Sequence, residues 1–327
     1  MDQALVIGIG RYPQLGGTAN TPRHLPGAIA DALDVAKWLT AAGVNVTLVT
    51  SDGRPGEVWQ VDALRPHSMD IADAYRRYNG SDPTNRLYIY AAGHGIAPKA
   101  TSRSLIMADA CPPFWLPNVE LPEIVNWFAN QGWFGELVLW MDCCAVQALE
   151  YSSIGNAGLP NTAAATTPSR MFMAFASGNG RAAYEGPVGP DGNVRGLFTQ
   201  RLLRGLRGAA ADQTGAVTSQ SLANFLRNGG TEGPGITDAV VPLSDPMLFA
   251  TSAHPSFSIR AVGDDGQAWP DGTPVSLSVP PAPPLGGAAV AGGRVTFTLG
   301  VGLYRLSTPT GSRRLIEISA ATLAEIE

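Results

Sequence analysis

The sequence predicts an α/β protein, with a mainly parallel sheet flanked by helices and a small C-terminal all-β, sandwich-like domain. Three observations carry this reading. Arg86 to Ala91 (RLYIYA) and Glu136 to Met141 (ELVLWM) are short, continuously apolar runs, the pattern of strands buried on both faces. Such runs alternate with amphipathic stretches, as a sheet built from strand–helix–strand units requires. From Phe257 onward the pattern becomes FSIRAV, PVSLSV, RVTFTL and LYRLST, split by Gly, Pro and Asp turns, which reads as an all-β appendage.

In chain order, Leu5 to Ile9 is a strand that ends in Gly8-Ile9-Gly10. Leu25, Ile29, Leu33, Ala36 and Leu39 then recur at helical spacing over Leu25 to Ala41. Val44 to Val49 is the next strand, a helix falls between Glu57 and Tyr78, and Leu87 to Ala91 returns to strand. Ser104 to Met107 is expected as a small hairpin and Leu121 to Asn130 as a helix before Leu137 to Met141. Residues 145 to 169, rich in Ala, Thr, Asn and Gly, read as a loop. Met171 to Ala176 is a strand, and Gly196 to Gly208 and Thr218 to Asn228 are helices. The composition changes near His254, so the expected domains are 1–250 and 255–327. Within the second, Pro280-Pro281-Ala282-Pro283-Pro284 belongs in a loop, because proline lacks the ladder donor.

At 327 residues the chain is long enough for one large domain and a small one. A net charge of −5, with 15% charged residues and no Lys/Arg block, argues against a nucleic-acid groove or an anionic membrane surface. No apolar run reaches the length of a membrane span, and the N-terminal MDQALVIGIGRY has no basic leader. Cys111, Cys143 and Cys144 do not form a disulfide framework. A cytoplasmic, reducing setting is expected. No dense carboxylate cluster suggests calcium, and Gly8-Ile9-Gly10 has Pro13 where a dinucleotide loop needs its third glycine, so no metal or cofactor is expected.

The chemistry lies in Gly93-His94-Gly95 after one apolar run and Asp142-Cys143-Cys144 after another. Both follow strand C-termini, where the crevice of an open α/β sheet forms. A thiol attacks as thiolate, and an imidazole can take its proton and later deliver it to a leaving amine. Successive strand side chains point to opposite faces, so only one of Cys143 and Cys144 faces the cleft.

These segments resemble the caspase-like cysteine peptidases of clan CD, and most of all the bacterial relatives of the metacaspases. The matching stretches are LVIGIGRY, LPGAIADALDVAKWL, YAAGHG, LVLWMDCC, AFASGNGRAAYE and GLFTQRLLRGLRG, which together cover roughly residues 1 to 250. His94 precedes Cys144 by 50 residues, close to the caspase separation. The chain continues its Asp-x-Cys with Ala145-Val146-Gln147 where metacaspases usually have His-Ser-Gly, and it lacks the caspase Gln-Ala-Cys signature. The resemblance implies Cys144 as nucleophile and His94 as general base and acid. It also implies the backbone amides of Gly95 and Cys144 as oxyanion donors, with no third triad member.

Alignment with the metacaspase segments places Asp31 and Asp142 in the S1 pocket. Two carboxylates there favour a P1 Arg or Lys and oppose a P1 Asp. The expected partner is therefore a protein or peptide substrate with a basic P1 residue. The bland alternatives are a polar helix residue for Asp31 and a strand-end cap for Asp142. Residues 145 to 169 contain no Lys or Arg, which implies an intact chain when active; Arg170, Arg181 and Arg195 are the nearby cleavage candidates. Relatives of this kind act by limited proteolysis in cell death or antiphage defence. The rival reading is a scaffold of the same fold whose β domain recruits partners.

Overall fold

The computed structural model describes residues 1–15, 24–51, 66–78, 84–99, 102–112, 116–148, 169–178, 180–188, 193–212, 215–228, 238–240, 245–251, 256–278, 284–298 and 302–318. Two compact units emerge, one of Met1–Leu203 with Leu226–Met247, the other of Arg204–Phe225 with Leu248–Glu327.

The first unit is built on strands β1 (Gln3–Gly8), β2 (Asn45–Thr50), β3 (Arg86–Ala92), β7 (Glu136–Asp142), β9 (Arg170–Phe175) and β13 (Asp238–Val240). Among the described residues they form a six-stranded sheet in the order β13-β9-β7-β3-β1-β2. Every pairing is parallel except that of β13 with β9. The period-2 alternation sorts the central strands into two apolar faces. Leu5, Ile7, Leu87, Ile89, Leu137 and Leu139 join a core with Ile71 and Tyr75 of α2 (Ser68–Arg76) and Ile124, Val125 and Phe128 of α3 (Leu121–Gln131). On the other face Trp140 meets Trp38 of α1 (Pro26–Ala41) edge-on at 6.3 Å, and Tyr90 bonds Thr199 of α4 (Leu197–Arg204) at 2.6 Å. Both faces are covered, which is why these strands read as unbroken apolar runs.

α1 begins with Pro at its first turn and buries Ala28, Asp31, Ala32, Val35, Ala36 and Leu39. α3 carries Pro122 in its first turn and ends at Gly132 in the left-handed region, φ 64°. The α2 expectation is met over Ser68–Arg76, capped by a reciprocal His67 and Asp70 box; residues 57–65 lie outside those described.

Several short elements add to the expected set. Ser104–Ile106 does not close on itself as a hairpin but pairs as β5 in a second sheet, ordered β6 (Asn118–Glu120), β5, β4 (Gly95–Ala97), β8 (Val146–Gln147). The expected 145–169 loop therefore opens with the two-residue strand β8, and 149–168 lie outside the described residues. β10 (Glu185–Val188) and β11 (Asn193–Gly196) form an antiparallel pair, so Gly196 ends a strand rather than starting the helix.

In the second unit, a π-helical turn (Gly205–Ala209) precedes β12 (Ala216–Thr218), which pairs with β14 (Leu248–Thr251), and helix α5 (Ser219–Asn228) follows β12 in the chain, its last three residues counted with the first unit. Two antiparallel sheets follow, β15 (Ser256–Arg260) with β18 (Arg294–Thr298), and β17 (Pro284–Ala289), β16 (Pro274–Ser278), β19 (Gly302–Ser307) and β20 (Arg313–Ile318) in that order. Val275, Leu277, Val295, Phe297, Tyr304 and Leu306 from both sheets share one core with Trp269. Of the proline-rich stretch expected as loop, 280–283 lie outside the described residues and Pro284 opens β17.

Candidate active site

The parallel register of β3 and β7 sets Ala92 opposite Asp142, and Gly93 N–H donates to the Asp142 carbonyl at 3.3 Å. His94 and Cys144 each follow two residues beyond that pair, at the C-terminal edge of the sheet. There a cavity of about 150 Å³ is lined by His94, Cys144, Asp31, Asp142 and Glu185, with Leu25, Ala28, Ala183 and Tyr184 forming less polar parts of its wall.

All four side chains expected in the site thus meet in one cavity. Cys144 is half-buried, whereas Cys143 is buried against the apolar core. The Cys144 sulfur accepts the Ala183 N–H at 3.2 Å. The segment containing Ala183 is pinned beside it by Ala145 N–H to Arg181 C=O at 2.9 Å and Gly180 N–H to Ala145 C=O at 2.8 Å. Burial pushes the Cys144 thiol up, the Ala183 amide opposes this, and nearby Asp142 and Glu185 add to the upward push. Cys143 is pushed up further, first by burial. Gly95 abuts Cys144 so closely that a Cβ there would stand 2.2 Å from the Cys144 carbonyl oxygen, and only glycine fits.

The carboxylates are buried and held by specific donors. Asp31, 1% exposed, accepts Gly196 N–H at 2.6 Å and Gln200 Nε2 at 3.4 Å. Asp142, 8% exposed, accepts Thr199 N–H at 3.1 Å and Thr199 Oγ1–H at 2.6 Å. Oxygens of the two acids lie 3.0 and 2.1 Å from the point where a Gly196 Cβ would stand, so they crowd one spot. Burial, then Asp142, raises Asp31 to about 8; burial raises Asp142 to about 6 against the Thr199 bonds. Arg195 approaches Asp31 from outside the cavity lining, at 3.8 Å, and also reaches Asp34 at 3.4 Å.

Glu185 is the cavity carboxylate that sequence reasoning did not single out. The AFASGNGRAAYE stretch carries the family resemblance without giving its acid a role, and no motif signals that this acid returns to α1. Its carboxylate takes a hydrogen bond from Ala28 N–H in the first turn of α1, which has no side-chain cap of its own. Burial, then Asp142, raises Glu185 to about 6. Among the described residues no group of three or more His, Cys, Asp or Glu is arranged to hold a metal ion, and no helix is long and apolar enough to cross a membrane.

A family model described as the caspase domain, Peptidase C14, matches residues 1–230. The chain is similar to a probable protease from a Desulfuromonadales bacterium, 27% identical over 222 residues; that match covers 63% of this chain and 26% of the relative, so the chain spans about a quarter of the relative's length. Among solved structures, a Geobacter sulfurreducens protein from structural genomics aligns at TM-score 0.48 and 12% identity over 74% of this chain and 94% of that one. Caspase-1 from Spodoptera frugiperda aligns at TM-score 0.48 and 13% identity, covering 76% and 90% respectively. With its match running from the first strand through the candidate site, the chain belongs to the caspase domain family of C14 peptidases.

Proposed function

We propose that this peptidase-family protein is a cysteine endopeptidase that cleaves after Arg or Lys. The observation that carries the reading is the shared cavity: a nucleophile, an imidazole and three carboxylates open onto one space of about 150 Å³. A P1 guanidinium or ammonium entering it meets Asp31, Asp142 and Glu185 and replaces their lost hydration with charge-assisted hydrogen bonds. A P1 carboxylate meets only like charge.

The catalytic sequence is the one that the family resemblance implies for these residues. His94 takes the Cys144 thiol proton as the sulfur adds to the scissile carbonyl, and the amides of Gly95 and Cys144 donate to the resulting oxyanion. Collapse breaks the C–N bond, and His94 hands its proton to the leaving amine, which leaves a thioester on Cys144. His94 then takes a proton from water as that water attacks the thioester, and the proton returns to the sulfur when the acid product departs.

Residues 1–250 carry this chemistry in the proposal, and limited proteolysis of a partner protein in cell death or antiphage defence is the role that the family resemblance suggests. A reducing cytoplasm suits the three cysteines, all of them free thiols. Matched fluorogenic peptides with Arg, Lys or Asp at P1 test the reading. Cleavage after Arg or Lys that disappears in Cys144→Ala supports it; preference for Asp, or cleavage that survives Cys144→Ala, overturns it.

A further inference from the structure

We propose that Tyr12, on the segment that follows β1, is a positioning residue that fixes the backbone and ring of His94. The proposal rests on the reading of His94 as the general base. Tyr12 is 1% exposed, and its hydroxyl oxygen accepts the His94 backbone N–H at 2.8 Å. The same hydroxyl donates to Ile106 C=O at 3.4 Å, while Ile106 N–H donates to His94 C=O at 2.9 Å. Three residues from three separate segments thus close a loop of hydrogen bonds around the His94 peptide. The Tyr12 ring lies 4.8 Å from the His94 ring, tilted by 57°, so one side chain holds both the backbone and the imidazole.

Burial pushes the Tyr12 phenol well above its ordinary value, so the hydroxyl keeps its proton and serves as donor and acceptor together. Tyr12 is itself anchored, its N–H donating to His24 Nδ1 at 3.1 Å and its C=O accepting Leu15 N–H at 3.4 Å. The need for such a device lies in the sequence. His94 sits between two glycines, which leave room for substrate but offer no side chains to steady the peptide. Proton transfer demands placement within a few tenths of an ångström, and a remote misplacement of about 1 Å costs on the order of 100-fold in rate. A tyrosine here supplies a fixed acceptor at the one backbone amide that orients the base.

Tyr12→Phe separates this role from simple packing, because it removes one oxygen and keeps the ring. Backbone amide exchange of His94, followed by NMR, is expected to accelerate at least tenfold in Tyr12→Phe, with the unfolding midpoint within a few degrees of wild type. On the best Arg-P1 peptide kcat is expected to fall roughly 10- to 100-fold with KM within twofold. In Tyr12→Leu the ring-current shift of the His94 imidazole protons disappears, while in Tyr12→Phe it persists. Unchanged His94 amide exchange in Tyr12→Phe, or kcat, KM and unfolding midpoint all shifting together, overturns the proposal. If wild type cleaves no peptide, the peptidase reading fails by itself, and the two NMR measurements still decide whether Tyr12 positions His94.

Discussion

Ala92 and Asp142 stand opposite each other in the parallel pairing of β3 with β7, and His94 and Cys144 each lie two residues beyond that pair. The equal offset is what delivers an imidazole and a thiol to the same edge of the sheet. It also makes Asp142 a wall of the cavity into which Cys144 opens. The pairing of β3 with β7 therefore brings His94, Cys144 and Asp142 to one cavity.

The two adjacent cysteines should separate cleanly on substitution. Cys144→Ala is expected to reduce kcat/KM by roughly three orders of magnitude or more, as loss of a catalytic nucleophile does. Cys143 packs in the core, so Cys143→Ser should leave kcat within a few-fold and lower stability by about 1–3 kcal/mol through a buried hydroxyl. Steady-state kinetics and urea unfolding of both variants check this.

Substrate affinity should rise with pH. In the proposed reading a P1 cation pairs with Asp31, at about 8, and with Asp142 and Glu185, each at about 6, only when they are ionised. KM for an Arg peptide is expected to fall between about pH 5.5 and 8.5, whereas KM for its neutral citrulline analogue stays flat. Parallel profiles for the two peptides would argue that the carboxylates do not face P1.

Stability of the empty protein should run the other way. A carboxyl whose pKa is higher folded than unfolded binds more protons in the folded state, so its contribution is full below about pH 4 and is lost as pH rises through 6 and 8. Thermal unfolding should therefore show the midpoint falling over that interval, and Asp31→Asn should flatten its upper part. Asp31→Asn that leaves the profile untouched would remove Asp31 from the account.

A cation in the pocket should activate the nucleophile. Asp142 and Glu185 help hold the Cys144 thiol up, and neutralising them withdraws that push. Alkylation of Cys144 by iodoacetamide near pH 7 is expected to accelerate when benzamidine or arginine amide is added, and to respond much less in Asp142→Asn, where Glu185 alone remains to be neutralised. Protection in place of acceleration would mean that the cation blocks the sulfur.

Glu185 should tune P1 selection without being essential. It is only partly buried, so Glu185→Gln is expected to raise KM for Arg peptides about two- to fivefold, the size of a partly exposed ion pair. Asp142→Asn, at a buried site, should cost roughly 10- to 100-fold in kcat/KM. Equal effects from the two would contradict the graded pocket.

Legibility followed length and burial. β1, β3, β7 and β9 are six- or seven-residue runs with both faces in the core, so their own residues announce them. β4, β6, β8, β12 and β13 are two or three residues long and exist because a partner strand lies alongside. Nothing local specifies them. That His94, Cys144, Asp31 and Asp142 line one cavity was readable from motifs beside strong strands and, for the two acids, from the family resemblance. Glu185 and Tyr12 were not, since their contacts to Ala28 and His94 join residues 157 and 82 positions apart along the chain.

The measurement that bears most directly on the central claim is covalent trapping. Wild-type protein is incubated with peptidyl chloromethyl ketones bearing Arg or Asp at P1, and the adduct is mapped by mass spectrometry. A single adduct on the Cys144 peptide with the Arg probe, absent with the Asp probe and strongly reduced in His94→Ala, is the predicted result. Labelling at Cys143, labelling by the Asp probe, or equal labelling in His94→Ala would contradict it.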